Sequence, residues 1–269
     1  MQVRHITLFS GIAVLALGGA YLGHKYYGRI MHRLFGPEKV TAAKTDDLYN
    51  PDKRLLKRGR RDHNVVCLTI DDGPHPSLHR ILPILKKYGV HATFFMVGSR
   101  LSASPVLVRQ VLAEGHEIGN HTQNHERLDQ LPIEKIREEV GQCEASFEKA
   151  TGGSKMTLFR PPGMDMSPNL FKVLDEYGYT TVGWSYGAKD YILPTGGPNK
   201  TIGTGHIAKM ILAHVTPGGI ILLHDSDDTA DELPMLLEGL KKKGFAVETA
   251  SQMLADLPTP VIVKTNAGR

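Results

Sequence analysis

The feature that most constrains this chain is an alternation of strand-like and helix-like segments that starts at residue 65. Val65–Leu68, His91–Val97, Glu117–Gly119, Met156–Phe159, Thr180–Trp184, Gly219–Leu223 and Phe245–Glu248 are short, mostly apolar runs. Between them lie Ser77–Tyr88, Pro105–Glu114, a stretch from Pro132 to Gly152-Gly153, Pro168–Tyr177, His206–Val215 and Asp231–Lys242. These carry apolar residues at helical spacing, and a short helix is expected around Met253. Seven consecutive βα units with apolar strands imply a parallel sheet covered on both faces. Polar residues stand at almost every strand end, which favours an incomplete (β/α)7 barrel, because a barrel gathers those ends on one face. An open doubly wound sheet is the alternative. A chain of 269 residues, 41% hydrophobic, can bury one large core of this kind or two small ones.

The segment before residue 64 has a different character. Arg4 precedes an uncharged apolar run, Ile6–Gly23, which is followed by Lys25, Arg29 and Arg33. At about 18 residues, that run lies near the lower length for spanning a bilayer. Residues 1–23 read as an uncleaved anchor, or as a signal segment cut near Ala16-Leu17-Gly18-Gly19-Ala20. The Lys/Arg-rich downstream flank would by itself leave the remainder cytoplasmic, so the topology stays open. Residues 24–63 read as a basic linker. Its run of Lys53, Arg54, Lys57, Arg58, Arg60 and Arg61 is either a solvated spacer or an attraction for anionic lipid head groups. Residues 1–64 hold 12 Lys/Arg against 5 Asp/Glu, a net +7, so the rest of a chain of net +4 carries −3. That leaves no basic stripe for phosphates and argues against nucleic acid as a partner. Residues 64–257 form the expected folded domain, and residues 258–269 a tail. Cys67 and Cys143 fall on apolar faces and read as reduced core residues.

Chemistry concentrates at the strand ends. Thr69-Ile70-Asp71-Asp72-Gly73-Pro74 delivers two adjacent carboxylates from an apolar strand into a turn, which calls for a cation or for one acid acting as a base. His121 and His125 are four apart, a spacing that suits a shared divalent metal if the segment turns helically. Arg160, Asp190 and His224 also follow strands. Each has an ordinary reading alone. Asp-Gly is a common turn, a histidine pair is more often surface or core, Arg160 can be a surface residue before Pro161-Pro162, and His224-Asp225 can open a helix with Asp225 as cap. In a barrel they converge, and two imidazoles with one carboxylate leave room at a metal for water and substrate.

Thr69-Ile70-Asp71-Asp72-Gly73-Pro74, His121-Thr122-Gln123-Asn124-His125, Arg160-Pro161-Pro162-Gly163 and Leu222-Leu223-His224, in this order and spacing, resemble the NodB-type polysaccharide deacetylases of carbohydrate esterase family 4. The resemblance covers roughly residues 64–257. It implies a distorted (β/α) barrel that removes acetyl groups from N-acetylated glycans such as peptidoglycan, chitin-like polymers or poly-N-acetylglucosamine. Asp72, His121 and His125 would hold one divalent metal, zinc before cobalt, nickel or manganese. Asp71 would be the general base and His224 the general acid. Arg160 would pair with Asp71, and Asp190 with His224. A backbone N–H at or next to Gly163 would meet the oxyanion, and Leu222 and Tyr191 would line the substrate site. An acetylated polysaccharide would be the partner, met by a catalytic domain that is membrane-anchored or exported and extracytoplasmic.

Two departures bear on the sugar site. Gly163 stands where the family commonly has an aromatic residue after Arg-Pro-Pro. Gly187-Ala188-Lys189-Asp190-Tyr191 keeps only the second acid of the family's Asp-x-x-Asp-Trp, with Tyr for Trp. Two other functions therefore compete: a metal-dependent amide hydrolase acting on a small substrate, and a catalytically weak glycan-binding homologue.

Overall fold

The computed structural model describes residues 48–50, 54–187 and 205–257. The N-terminal apolar segment, Asp190 and Tyr191 lie outside the described residues. Among the described residues no helix is long and apolar enough to cross a membrane.

Among the described residues ten short strands form one sheet: β1 Tyr49–Asn50, β2 Leu55–Leu56, β3 Val65–Gly73, β4 Thr93–Met96, β5 Glu117–Asn120, β6 Leu158–Phe159, β7 Thr180–Val182, β8 Tyr186–Gly187, β9 Gly219–His224 and β10 Ala246–Glu248. The helices are α1 Leu78–Tyr88, α2 Gly98–Ala103, α3 Pro105–Ala113, α4 Ile133–Thr151, α5 Pro168–Tyr177, α6 His206–His214, α7 Asp227–Lys242 and α8 Ala250–Ala255. The strand order is β1-β2-β7-β6-β5-β4-β3-β9-β8, and every pairing except β1 with β2 is parallel.

The order itself shows that the sheet curls. β7 and β8 are six strand spacings apart, about 29 Å on a flat sheet. Only Gly183-Trp184-Ser185 join them, and four Cα steps span at most about 14 Å. The edges must therefore swing toward each other, as an incomplete barrel requires.

Period-two alternation then sorts the side chains. Val66, Leu68, Ile70, Phe94, Met96, Phe159, Ile221 and Leu223 belong to the large core under the helices. Cys67, Phe95, Leu158, Val182 and Ile220 point into the curl and meet Leu56, Ala250 and Met253. Helix α8 closes the N-terminal mouth. The Ala250 N–H donates to Thr93 Oγ1 (2.8 Å) and the Ser251 N–H to Glu117 Oε2 (3.2 Å), both at the first residues of their strands. The opposite mouth lies at the strand C-termini. Cys67 and Cys143 are buried free thiols in separate clusters.

β3 runs to Gly73, where Gly73-Pro74 stops it as the sequence implies, and Asp71 still pairs with both neighbours. Other expectations are corrected. Gly98–Ala103 is a separate helix that its short, polar sequence did not advertise. α7 begins at Asp227, with Ser226 rather than Asp225 as its cap. β10 does not extend the ring. It pairs with Val65–Cys67, filling the gap where β3 and β4 diverge. Finally, residues 54–63 belong to the fold rather than to a linker. β2 pairs with β7, the Gly59 N–H donates to the Gly218 carbonyl (2.7 Å), and Arg58 Nη2 donates to the Pro217 carbonyl (3.0 Å).

Candidate active site

Asp71 inherits its direction from the alternation: Cys67, Thr69 and Asp71 share the inner face of β3. The register then shifts between Asp71 and Gly73. Asp72 takes φ 69°, a left-handed conformation that Asp tolerates better than most residues. The irregularity turns Asp72 out of the strand toward the C-terminal mouth. Arg100 Nη1 donates to the Asp72 carbonyl. The turn is tied to β9 by Asp225, whose N–H donates to the Asp71 carbonyl (2.8 Å). The Asp225 side chain accepts from the His75 N–H (2.8 Å) and Ser77 Oγ (2.6 Å). Burial pushes the Asp225 carboxyl up, against those two hydrogen bonds.

Arg160, the residue after β6, is fully buried in the curl. Its guanidinium lies 4.2 Å from the Phe95 ring centroid. Nη1 donates to Asp71 Oδ1 (2.7 Å) and Thr69 Oγ1 (2.8 Å), Nε to the Val182 carbonyl (2.9 Å), and Nη2 to the Gly183 carbonyl (2.8 Å). The fork geometry of arginine lets one buried cation satisfy one carboxylate and three neutral acceptors at once.

Three donor atoms converge beside this pair. His121 Nε2 lies 3.4 Å and His125 Nε2 3.1 Å from Asp72 Oδ1, and His121 Nε2 is 3.8 Å from Asp71 Oδ2. The imidazoles do not meet through a helical turn, as the four-residue spacing suggested. The segment is irregular, and Thr122 and His125 take φ values of 66° and 60°. His121 Nδ1 donates to the Arg160 carbonyl (2.6 Å), so Nε2 is the nitrogen that faces Asp72. Asp72 Oδ1 is buried without a hydrogen bond. Burial would raise the Asp72 carboxyl, but the two imidazoles outweigh it and hold the group far below the usual carboxylate range. Asp72 in turn pulls the His125 imidazole up. An orphaned carboxylate oxygen facing two imidazole nitrogens, all within 4.8 Å of one another, is a donor set that fits a divalent cation.

The other expected residues fall around this cluster. His224 is directly opposite Asp71 in the β3–β9 register, and Leu222, nearly buried, is opposite Thr69. Gly163 sits exposed in the turn Pro162–Met164 just after Arg160, with φ 65°. Sequence reasoning missed Thr69 and Phe95, which period two along β3 and β4 would have placed beside Arg160. Arg100 and Asp225 carried no local signal, since their contacts are tertiary.

Comparison with known proteins follows the same residues. Residues 58–182 match the polysaccharide deacetylase family model. A peptidoglycan-N-acetylglucosamine deacetylase of Bacillus cereus is 36% identical over 200 residues, covering 72% of this chain and 89% of its own length. A chitooligosaccharide deacetylase of Bradyrhizobium is 29% identical over 204 residues, covering 70% and 90%. Among solved structures, a CE4 family pseudoenzyme from Bacillus anthracis superposes with a TM-score of 0.68 at 26% identity, covering 75% of this chain and 69% of its own. With these motifs on this curled sheet, the chain belongs to the polysaccharide deacetylase family, carbohydrate esterase family 4, and is a hydrolase of that family.

Proposed function

We propose that this hydrolase deacetylates an N-acetylated glycan with the help of one divalent cation, zinc before cobalt, nickel or manganese. The observation that carries the reading is the convergence of Asp72, His121 and His125 beside an Asp71 carboxylate clamped by Arg160. A cation held by those three residues would supply Lewis acidity, polarising the acetyl carbonyl and lowering the pKa of an attacking water to about 7. Asp71 has one oxygen fixed by Arg160 and the other facing His121, so it is poised to accept the water's proton. His224 returns a proton to the departing amine as the acetyl–nitrogen bond breaks and acetate leaves. The Gly163 N–H meets the charge that develops on the acetyl oxygen. Asp190 sets the protonation of His224, while Leu222 and Tyr191 contact the sugar.

The relatives named for peptidoglycan N-acetylglucosamine and for chitooligosaccharides support an N-acetylglucosamine polymer as substrate. The apolar stretch Ile6–Gly23 supports a membrane-anchored or exported enzyme. The test is acetate release from peptidoglycan and acetylated chito-oligosaccharides, with and without a chelator. Chelator-sensitive, zinc-restored release is expected, and release that survives full chelation sinks the cation role. Similarity to a CE4 family pseudoenzyme favours one second reading, a glycan binder without turnover. Binding with no acetate from any acetylated glycan, monomer or polymer, would establish it.

A further inference from the structure

The segment Asn120–His125 carries two of the three proposed cation ligands in an irregular backbone with two left-handed residues, Thr122 and His125. Such a conformation persists only where its surroundings over-determine it. Two helices do so here. At the start of α2, the N–H groups of Gly98 and Ser99 donate to the carbonyls of Thr122 and Gln123, both at 2.9 Å. Gly98 must lack a side chain, because a β-carbon there would stand 2.1 Å from Gln123 Oε1 and 2.8 Å from the Cys143 Cα. From the other side, α4 presents Glu139 and the Val140 carbonyl. Glu139 Oε2 accepts from the Asn124 N–H (2.8 Å) and Oε1 from Asn124 Nδ2 (2.7 Å). Asn120 Nδ2 donates to the Val140 carbonyl (2.9 Å), and Asn120 Oδ1 accepts from the Thr122 N–H (2.9 Å).

Glu139 is the costly member of this set. It is 6% exposed, and among the described residues no cationic side chain lies within 4.0 Å of its carboxylate. Burying a carboxylate without a cation is unfavourable. Both of its hydrogen bonds come from Asn124, the residue before His125. We propose that Glu139 is a positioning residue of the cation site, acting through Asn124 to fix His125, while Asn120 does the same for the backbone on either side of His121. This inference rests on the reading of Asp72, His121 and His125 as cation ligands.

The test uses the full chain and zinc as the probe, with affinity measured by competition against a chromophoric chelator. Glu139→Ala should weaken zinc binding about 10–100-fold, the usual effect of losing a group that orients a ligand. Glu139→Gln should cost less than about 3-fold, since its amide oxygen still accepts from the Asn124 N–H while the Asn124 amide turns to receive the other half. Amide hydrogen exchange of the zinc-free protein is the second readout. Exchange over residues 121–125 should speed up in Glu139→Ala while β3 stays protected. Unchanged zinc affinity in Glu139→Ala, equal weakening in Glu139→Gln, or loss of protection spread evenly through β3 would each overturn the proposal. Should Glu139→Ala fail to fold, the exposed Asn124→Ala takes its place, and zinc affinity must then fall at least about 3-fold. A wild-type protein that binds none of zinc, cobalt, nickel and manganese defeats the cation reading itself, and local exchange at residues 121–125 still decides whether Glu139 holds the segment.

Discussion

Arg160 reaches from the end of β6 across the inside of the curl, and its four hydrogen bonds bind β3 to the end of β7 through one side chain. The same contacts hold the Asp71 carboxylate still and compensate its burial, so stability and chemistry draw on one group. Arg160→Lys keeps the charge and loses the fork. Its three donors leave at least one of the four buried acceptors unpaired, at about 1–3 kcal/mol each, so the urea midpoint should fall by an amount equivalent to at least roughly 1–3 kcal/mol. On the proposed mechanism, Asp71→Asn removes the proton acceptor while preserving shape. Its rate of acetate release should drop about 10²–10⁴-fold, the usual cost of losing a general base. A drop below about tenfold would mean that another group accepts the proton.

Between individual residues and the whole barrel stands the strap formed by residues 54–60. The Thr181 N–H donates to the Arg54 carbonyl (2.7 Å) and the Gly183 N–H to the Leu56 carbonyl (2.8 Å) at one edge of the curl, while Gly59 and Arg58 hold the turn before β9 at the other. Gly218, at φ 74°, is where the strap crosses. A β-carbon there would lie 2.3 Å from the Gly59 carbonyl oxygen and 2.6 Å from that of Arg60. Gly218→Ala therefore combines a left-handed alanine with overlap of two backbone oxygens, a cost of about 3 kcal/mol or more. That should lower Tm by roughly 6–12 °C in a domain of this size, and an unchanged Tm would mean the strap moves freely. The strap also shows where sequence reading stops. Every major strand and the convergence of Asp71, Asp72, His121, His125 and Arg160 could be read from apolar periodicity and from the motifs at strand ends. The strap could not, because Leu55-Leu56 is two residues inside a run of cations and its partners lie more than a hundred residues away. The irregular path from His121 to His125 was hidden for a similar reason. It depends on Gly98, Ser99 and Glu139, which no local pattern connects to the histidines.

For the molecule as a whole, stability toward acid depends on which groups must bind protons on unfolding, and His116 is a principal one. It is nearly buried between α3 and β5, its Nδ1 accepts from the Ala92 N–H (3.2 Å), and it meets Phe94 edge-on at 5.5 Å. Burial first, and then the neighbouring His91, push its pKa down to about 4 from an ordinary 6.5. Above pH 6.5 the ring is neutral in both states and contributes nothing to the pH dependence. As pH falls below 6.5 the unfolded chain takes up a proton that the folded protein refuses, so stability declines until about pH 4, below which both states are protonated. The full loss from this group is at most about 3 kcal/mol. Asp225, whose carboxyl is raised by burial, works in the opposite direction just above the usual carboxylate value. The contribution of His116 is therefore isolated by comparing two proteins rather than two pH values. His116→Gln keeps an acceptor for the Ala92 N–H and cannot titrate. Urea midpoints of wild type and His116→Gln, measured at pH 7.5 and pH 4.5, should show a smaller acid loss in the variant, by roughly 2–3 kcal/mol. Equal losses in the two proteins would mean that the His116 ring gains its proton without leaving the fold.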